Sequence, residues 1–234
     1  MLRKGIKRFT CQDIKANYHP IKSESERLSK VLESSVKALL YPKEAQHLST
    51  FGELSSYYVL KAIRQKMTQD SVGLQILKEK PRIRPPYVNI EELRALPVNT
   101  LGRKYAYYMD NNAFEIQERP LVKHIGDIEL AYIYQRYKEI HDLLHVSFEK
   151  DVSVYEELEV KWFEFQQLEL ASAGMSALVG SALLPPQEAW QLFTQDGPKM
   201  IKQAKKAKFC MNVYFEKHFE QDFQEFKNFF LNNY

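Results

Sequence analysis

Apolar residues recur every three or four positions along most of this 234-residue chain, which is the spacing of one face of an α-helix. The first such stripe consists of Leu28, Val31, Leu32, Val36, Leu39 and Leu40. Strict alternation of apolar and polar residues, which is typical of strands, is not found. The pattern predicts an all-α protein: a single-domain helical bundle over residues 23–234, preceded by an N-terminal extension over residues 1–22.

Residues that can cap helices mark where these helices begin. Ser23 with Glu26, and Ser153 with Glu156, form two capping boxes. We also predict one helix from Phe51 to Gln69, and further helices that begin after Asp70, Asn89, Thr100 and Asp127. Between them, Pro81, Pro85 and Pro86 predict an extended, Pro-containing connector over residues 80–88 that joins parts of one domain.

Two apolar segments near the end of the chain could pack in the core or bind a ligand. The segment from Leu170 to Leu184 is too short to span a bilayer. Its small residues suggest either a buried helix or a wall for an apolar ligand, with Gly174, Ala177 and Leu178 as candidate lipid-binding residues. The last predicted helix carries an aromatic stripe, for which core packing is favoured over a dimer seam, a membrane contact or a prenyl tunnel: Phe215, Phe219, Phe223, Phe226 and Phe230.

Composition and charge exclude several classes of protein. A net charge of +3 is too small for a nucleic-acid-binding protein. Cys11 and Cys210 form no disulfide or zinc-knuckle framework. The basic N-terminus lacks the apolar region of a secretory signal and is short and poor in Ser for a mitochondrial presequence. We therefore expect a cytoplasmic protein, peripheral to a membrane whose anionic headgroups the lysines between Lys199 and Lys208 could meet.

The chemistry of the chain is concentrated in the segment His141-Asp142-Leu143-Leu144-His145, followed after eleven residues by Glu157. Two histidines at i and i+4 lie one above the other on a helix face, and Asp142 is offset by about 100° from the first of them. Glu157 can close the cluster from the next helix. We predict that His141, Asp142, His145 and Glu157 bind one divalent metal. Because Asp stands where metalloproteases have Glu, a protease is not predicted.

This motif, with the Val160-Lys161-Trp162-Phe163-Glu164 segment behind it, resembles the coenzyme Q biosynthesis protein 4 family. The resemblance extends over roughly residues 28–230 and includes residues 59–64, 73–83, 96–97, 101–105, 129–137 and 212–217. Two features depart from the family. Glu156 replaces a Gly, and residues 167–171 lack the family's Gly and Pro, so we expect the second motif helix to run on further.

The resemblance implies a role in ubiquinone biosynthesis, with oxidative decarboxylation of a polyprenylated ring precursor as the reaction. It also implies a peripheral membrane protein, Zn²⁺ at the metal site, and other quinone-biosynthesis enzymes as partners; we further expect a homodimer. Mg²⁺ is the alternative metal. Since zinc has no redox chemistry, the oxidative step would need dioxygen or a redox metal. The alternative function is a non-enzymatic scaffold that binds an isoprenoid lipid. Catalytic residues other than the metal ligands are not predicted.

Overall fold

The computed structural model describes residues 18–21, 23–41, 44–116 and 121–232. The described chain is helical with short connections, and its α-helices are α1 Glu24–Leu40, α2 Ala45–Ser55, α3 Tyr57–Thr68, α4 Ser71–Glu79, α5 Ile90–Arg94, α6 Leu101–Asn111, α7 Ile128–Phe148, α8 Val154–Leu168, α9 Ala171–Met175, α10 Pro186–Gln191, α11 Gly197–Lys206 and α12 Phe223–Leu231. Two π-helical turns, Ser176–Gly180 and Leu192–Asp196, and two 3₁₀ turns, Cys210–Asn212 and Phe215–Lys217, interrupt this series.

The predicted all-α class is confirmed. Residues 18–232, apart from the gaps given above, contain no strand, and their β pairing is limited to an isolated bridge between Thr100 and Asp222. Most of the predicted N-terminal extension, including Cys11, lies outside the described residues. No helix in the described ranges combines the length and apolarity needed to cross a bilayer.

The predicted caps form hydrogen bonds at the starts of their helices. Ser23 accepts from the Glu26 amide at the start of α1, and Ser153 accepts from the Glu156 amide at the start of α8. The other predicted caps accept in the same way: Asp70 before α4, Asn89 before α5, Thr100 before α6 and Asp127 before α7. Each of these side chains satisfies an amide that has no partner within its own helix.

The predicted helix from Phe51 to Gln69 is wrong as a single element, because it is divided at Ser56. The buried Ser56 hydroxyl donates to the Glu53 carbonyl at 3.2 Å. In a continuous helix that carbonyl would accept from the Tyr57 amide, so the serine competes with the helical hydrogen bond. The two helices have different neighbours, since α2 packs on α1 and α9 while α3 packs on α4 and α7.

The expected continuation of the second motif helix is also wrong. Glu169 adopts a left-handed conformation with φ 56°, and its amide donates to the Phe165 carbonyl. A left-handed residue commonly ends a helix, and although it is usually Gly, here Glu takes that conformation. Leu170, the next residue, is fully buried and precedes α9.

The predicted single helix that carries the Phe stripe is interrupted between residues 218 and 222. The carbonyls of Phe219 and Gln221 accept from the amides of Gly102 and Leu101 at the start of α6. These bonds replace helical ones, and α12 begins only after Asp222. All five stripe residues are nevertheless buried, as the core-packing interpretation requires.

The long helix α7 lies at the centre of the bundle. It packs against α3, α6 and α8, and α8 in turn packs against α9 and α11. Most residues of α7 are buried on every side, including its charged and polar ones. Burying a polar or charged group is costly unless it has a hydrogen-bond or ion-pair partner. The partners of these α7 side chains are therefore important for the stability of the core.

Candidate metal centre

Two neighbouring helices bring three of the predicted ligands together. His141 and His145 lie one turn apart on α7, and Glu157 lies in the first turn of α8. Glu157 Oε2 is 2.9 Å from His145 Nε2 and 3.3 Å from His141 Nε2. One ligand atom from each of the three residues lies within 4.8 Å of the others.

Asp142, the fourth predicted ligand, is not part of this group. It is buried on α7 at 5% exposure, and its position after His141 turns it about 100° around the helix axis. The group in the structure therefore contains two histidines and one carboxylate.

The second nitrogen of each histidine faces a hydrogen-bond acceptor. His141 Nδ1 is 2.7 Å from Glu164 Oε1, and His145 Nδ1 is 3.1 Å from the backbone oxygen of Asp151. Acceptors at both Nδ1 atoms favour the Nδ1–H tautomer of a neutral ring, in which the Nε2 lone pairs would face a metal bound beside Glu157. Metal-binding histidines are usually held by such a second hydrogen bond.

Charged side chains around His141 are arranged in a continuous array that is fully buried at Glu164 and partly exposed at Glu157. Lys161 Nζ lies 2.8 Å from Glu164 Oε2 and 3.3 Å from Glu157 Oε1. Burial alone would raise the pKa of Glu164, but Lys161 and His141 lower it to about 2. Burial and Lys161 oppose protonation of His141, yet Glu157 and Glu164 raise its pKa to about 9. Lys161 offsets only one of the two carboxylate charges, so the cluster favours one further cation, either a proton or a metal.

The donor set fits a divalent metal. Two imidazole nitrogens and one carboxylate oxygen form the protein ligands of several zinc enzymes and of many non-haem iron enzymes. Three protein ligands leave at least one coordination position open, as catalytic sites require and closed structural zinc sites do not. Two imidazole ligands favour zinc or iron over magnesium, which prefers oxygen ligands.

A cavity of about 420 Å³ opens beside this group. His141 and Glu157 form part of its wall, and α9 with the following π-turn contributes Ser172 and Ser176. Three lysines also line the cavity: Lys123 from the loop before α7, Lys138 on α7 and Lys161 on α8. The cavity therefore combines the candidate ligands with groups that attract an anion.

The predicted lipid-binding residues lie beside this cavity rather than in its lining. A Cβ atom on Gly174 would stand 2.7 Å from the Phe165 ring, and Ala177 is fully buried. Leu178 is 45% exposed. The residues of this segment that do line the cavity are Ser172 and Ser176.

Sequence reasoning missed two residues of this site. Glu164 is the partner of His141, and the Tyr137 hydroxyl donates to Glu164 at 3.0 Å. Helical spacing could have indicated both. Glu164 lies seven residues after Glu157, and Tyr137 lies four before His141, so each shares a face with a ligand.

Comparisons with known proteins agree with one another. Residues 17–230 match the family model described as coenzyme Q (ubiquinone) biosynthesis protein Coq4. The chain is 51% identical over 181 residues to ubiquinone biosynthesis protein COQ4 homolog 2, mitochondrial, of Paramecium tetraurelia, covering 77% of this chain and 86% of that protein. It is 37% identical over 187 residues to the mitochondrial COQ4 homolog of Nematostella vectensis, covering 79% and 90%.

A crystal structure from Nostoc punctiforme at 2.85 Å has the same fold. It superimposes with a TM-score of 0.71 at 17% identity, covering 88% of this chain and 98% of that one.

The expected cytoplasmic location is wrong, because these curated relatives are named as mitochondrial proteins. The expectation depended on the low Ser content of residues 1–10. Their basic charge and lack of acidic residues are the features that agree with a mitochondrial presequence.

Proposed function

The chain belongs to the coenzyme Q (ubiquinone) biosynthesis protein Coq4 family, and from this premise we propose that it binds a polyprenylated ring precursor and a divalent metal in the mitochondrion. Oxidative decarboxylation of the ring is the proposed reaction. His141, His145 and Glu157 would hold the metal, which we expect to be Zn²⁺, with Mg²⁺ as the alternative. We also propose a homodimer that associates with the membrane surface and with other quinone-biosynthesis enzymes.

The observation that carries this proposal is the cavity shared by the ligand group and by lysines. A carboxylated ring needs a site that neutralises its charge, and Lys123, Lys138 and Lys161 line the same space as His141 and Glu157. A divalent ion bound there would act as a Lewis acid toward the ring carboxylate or a ring oxygen. Tyr134 and Leu121 contribute apolar area to the wall against which a ring or the start of a tail could pack.

The alternative, a non-enzymatic isoprenoid-binding scaffold, is supported by a different surface. On α1, four apolar residues at steps of four are between 52% and 67% exposed: Leu28, Leu32, Val36 and Leu40. An apolar stripe that faces solvent is a common feature of helices that bind a partner or a membrane. This surface does not require chemistry at the metal centre.

Native mass spectrometry of the purified protein, incubated with extracted mitochondrial lipids, together with elemental analysis, tests the proposal. We expect a bound divalent metal and a bound prenylated compound. Incubation with a prenylated, carboxylated ring under dioxygen should then release CO₂. Ligand binding without CO₂ release would favour the scaffold, and absence of both metal and prenylated ligand would contradict the proposal.

A further inference from the structure

We infer that Glu164 is the positioning residue of the metal centre: one buried carboxylate orients His141 directly and Glu157 through Lys161. The inference rests on the proposed metal site. It assigns a role to a residue that is not itself among the three candidate ligands.

The contact with His141 is direct. Glu164 is fully buried on α8, and its Oε1 atom lies 2.7 Å from His141 Nδ1. A carboxylate at this distance accepts the Nδ1 proton and fixes both the tautomer and the plane of the ring. The lone pair on His141 Nε2 then faces the space beside Glu157 Oε2 and His145 Nε2, where the metal would bind.

The contact with Glu157 passes through Lys161. Lys161 Nζ is 2.8 Å from Glu164 Oε2 and 3.3 Å from Glu157 Oε1. The two oxygens of Glu157 therefore have different neighbours, since Oε1 faces the ammonium and Oε2 faces both histidines. Glu164 anchors the lysine, and the lysine determines which oxygen of Glu157 is presented to the site.

Glu164 is itself held on both oxygens. The Tyr137 hydroxyl donates to Oε2 at 3.0 Å, alongside Lys161 on the same atom, while His141 engages Oε1. Spacings of four and three residues place Glu157, Lys161 and Glu164 on one face of α8. Because the carboxylate is buried and bonded on every side, rotation away from His141 would leave several polar groups unpaired.

The experiment compares zinc affinity, measured by competition with a chelator, in the full-length wild type, Glu164→Gln and Glu164→Leu. We expect zinc binding to weaken by about 10- to 100-fold in Glu164→Leu. Glu164→Gln should lie between that variant and the wild type, because its amide oxygen can still accept from Nδ1 but does not attract Lys161 as strongly.

A matched control separates positioning from general destabilisation. Glu216 is also a buried acid, and it pairs with Arg136 at 2.9 Å and is not one of the three grouped residues. Glu216→Gln should lose stability yet keep wild-type zinc affinity. If Glu216→Gln weakens zinc binding as much as Glu164→Leu does, or if Glu164→Leu binds zinc like the wild type, the inference is wrong.

A second measurement uses the wild-type protein and so does not depend on a variant that folds. Nitrogen-15 NMR of the zinc-loaded protein should show the His141 ring proton on Nδ1. A proton on Nε2 would overturn the inference while leaving metal binding itself intact. If the wild type binds no divalent metal, the proposed metal site and this inference both fail.

Discussion

Arg82 and Glu139 form a buried ion pair that joins the proline-containing connector to the central helix α7. Arg82 Nε lies 2.8 Å from Glu139 Oε1 and 3.1 Å from Oε2, and the two side chains are only 3% and 2% exposed. The Ile83 amide donates to the same carboxylate at 3.0 Å. The connector is thereby fixed to α7 just before the first candidate metal ligand, His141.

Replacing Arg82 by Met should strongly destabilise the fold. The change leaves the Glu139 carboxylate buried without its cation, and breaking a buried pair in this way typically costs about 3–5 kcal/mol. Urea denaturation followed by circular dichroism measures the free energy of unfolding. Arg94→Met is the control, because Arg94 pairs with Asp110 at the surface and should cost much less. Equal losses in the two variants would contradict the structural role given to Arg82.

Asp196 lies in the π-helical turn before α11, and its contribution to the free energy of unfolding should decrease at acid pH. Lys199, and to a lesser degree Tyr155 and Gln191, lower the pKa of Asp196 to about 2 from an ordinary value of 3.8, against the opposing effect of burial. A carboxyl with a lowered folded pKa stabilises the protein above its unfolded pKa, and this contribution is lost as the pH falls toward the folded value. The difference in unfolding free energy between the wild type and Asp196→Asn should therefore be largest above pH 4 and shrink toward pH 2.

Lys199→Met provides the check on that mechanism. Its ammonium lies 2.8 Å from Asp196 Oδ1 and is the main cause of the lowered pKa. The variant should lose most of the same pH-dependent component. A difference that stays constant from pH 6 to pH 2 in both variants would refute the assignment.

Helix starts could be predicted from sequence because capping is local. Ser23, Asp70, Asn89 and Thr100 each bond to amides two or three residues ahead, so the interaction is present in the sequence pattern itself. Some breaks within predicted helices have local causes, such as the bond from Ser56 to Glu53, whereas others depend on residues elsewhere in the chain. The 218–222 interruption depends on amides more than 100 residues away in sequence, at the start of α6.

In the candidate site, too, some residues could be predicted from local sequence patterns and others could not. The i, i+4 pair His141 and His145 follows from helix geometry, and Glu157 from the short loop between α7 and α8. Helical spacing places Glu164 on the same face of α8 as Glu157. Its contact with His141 also depends on how α8 is rotated against α7, which local patterns do not determine. The cavity wall contributed by Lys123 and Ser172 depends on packing between distant elements.

Zinc binding should require both histidines but not Asp142. His141→Ala and His145→Ala each leave two of the three candidate ligands, so stoichiometric binding should be lost. Asp142→Asn should keep one zinc per chain, because Asp142 is not among the three grouped residues. Elemental analysis after zinc loading and dialysis measures this. Unchanged zinc content in the double histidine variant would reject the site, and loss of zinc in Asp142→Asn would restore the four-ligand prediction.

The cavity beside the candidate metal centre should take the prenylated ligand, and a tryptophan at Ser176 should block it. Ser176 lines the cavity and is half-buried, so an indole there can occupy the space without entering the core. Each buried methylene of an isoprenoid tail contributes about 0.8 kcal/mol, and losing two or more of them should weaken binding by at least about tenfold. Zinc content should remain at the wild-type level.

Leu178→Trp is the matched control for this prediction, because Leu178 belongs to the same π-turn but is 45% exposed and outside the cavity lining. It should bind a prenylated quinone precursor with wild-type affinity in native mass spectrometry. Tryptophan at Gly174 or Ala177 is less informative, since both positions lie against packed core and a loss of binding there would follow from unfolding. If Ser176→Trp binds the ligand normally, or if Leu178→Trp weakens binding equally, the tail lies elsewhere on the protein.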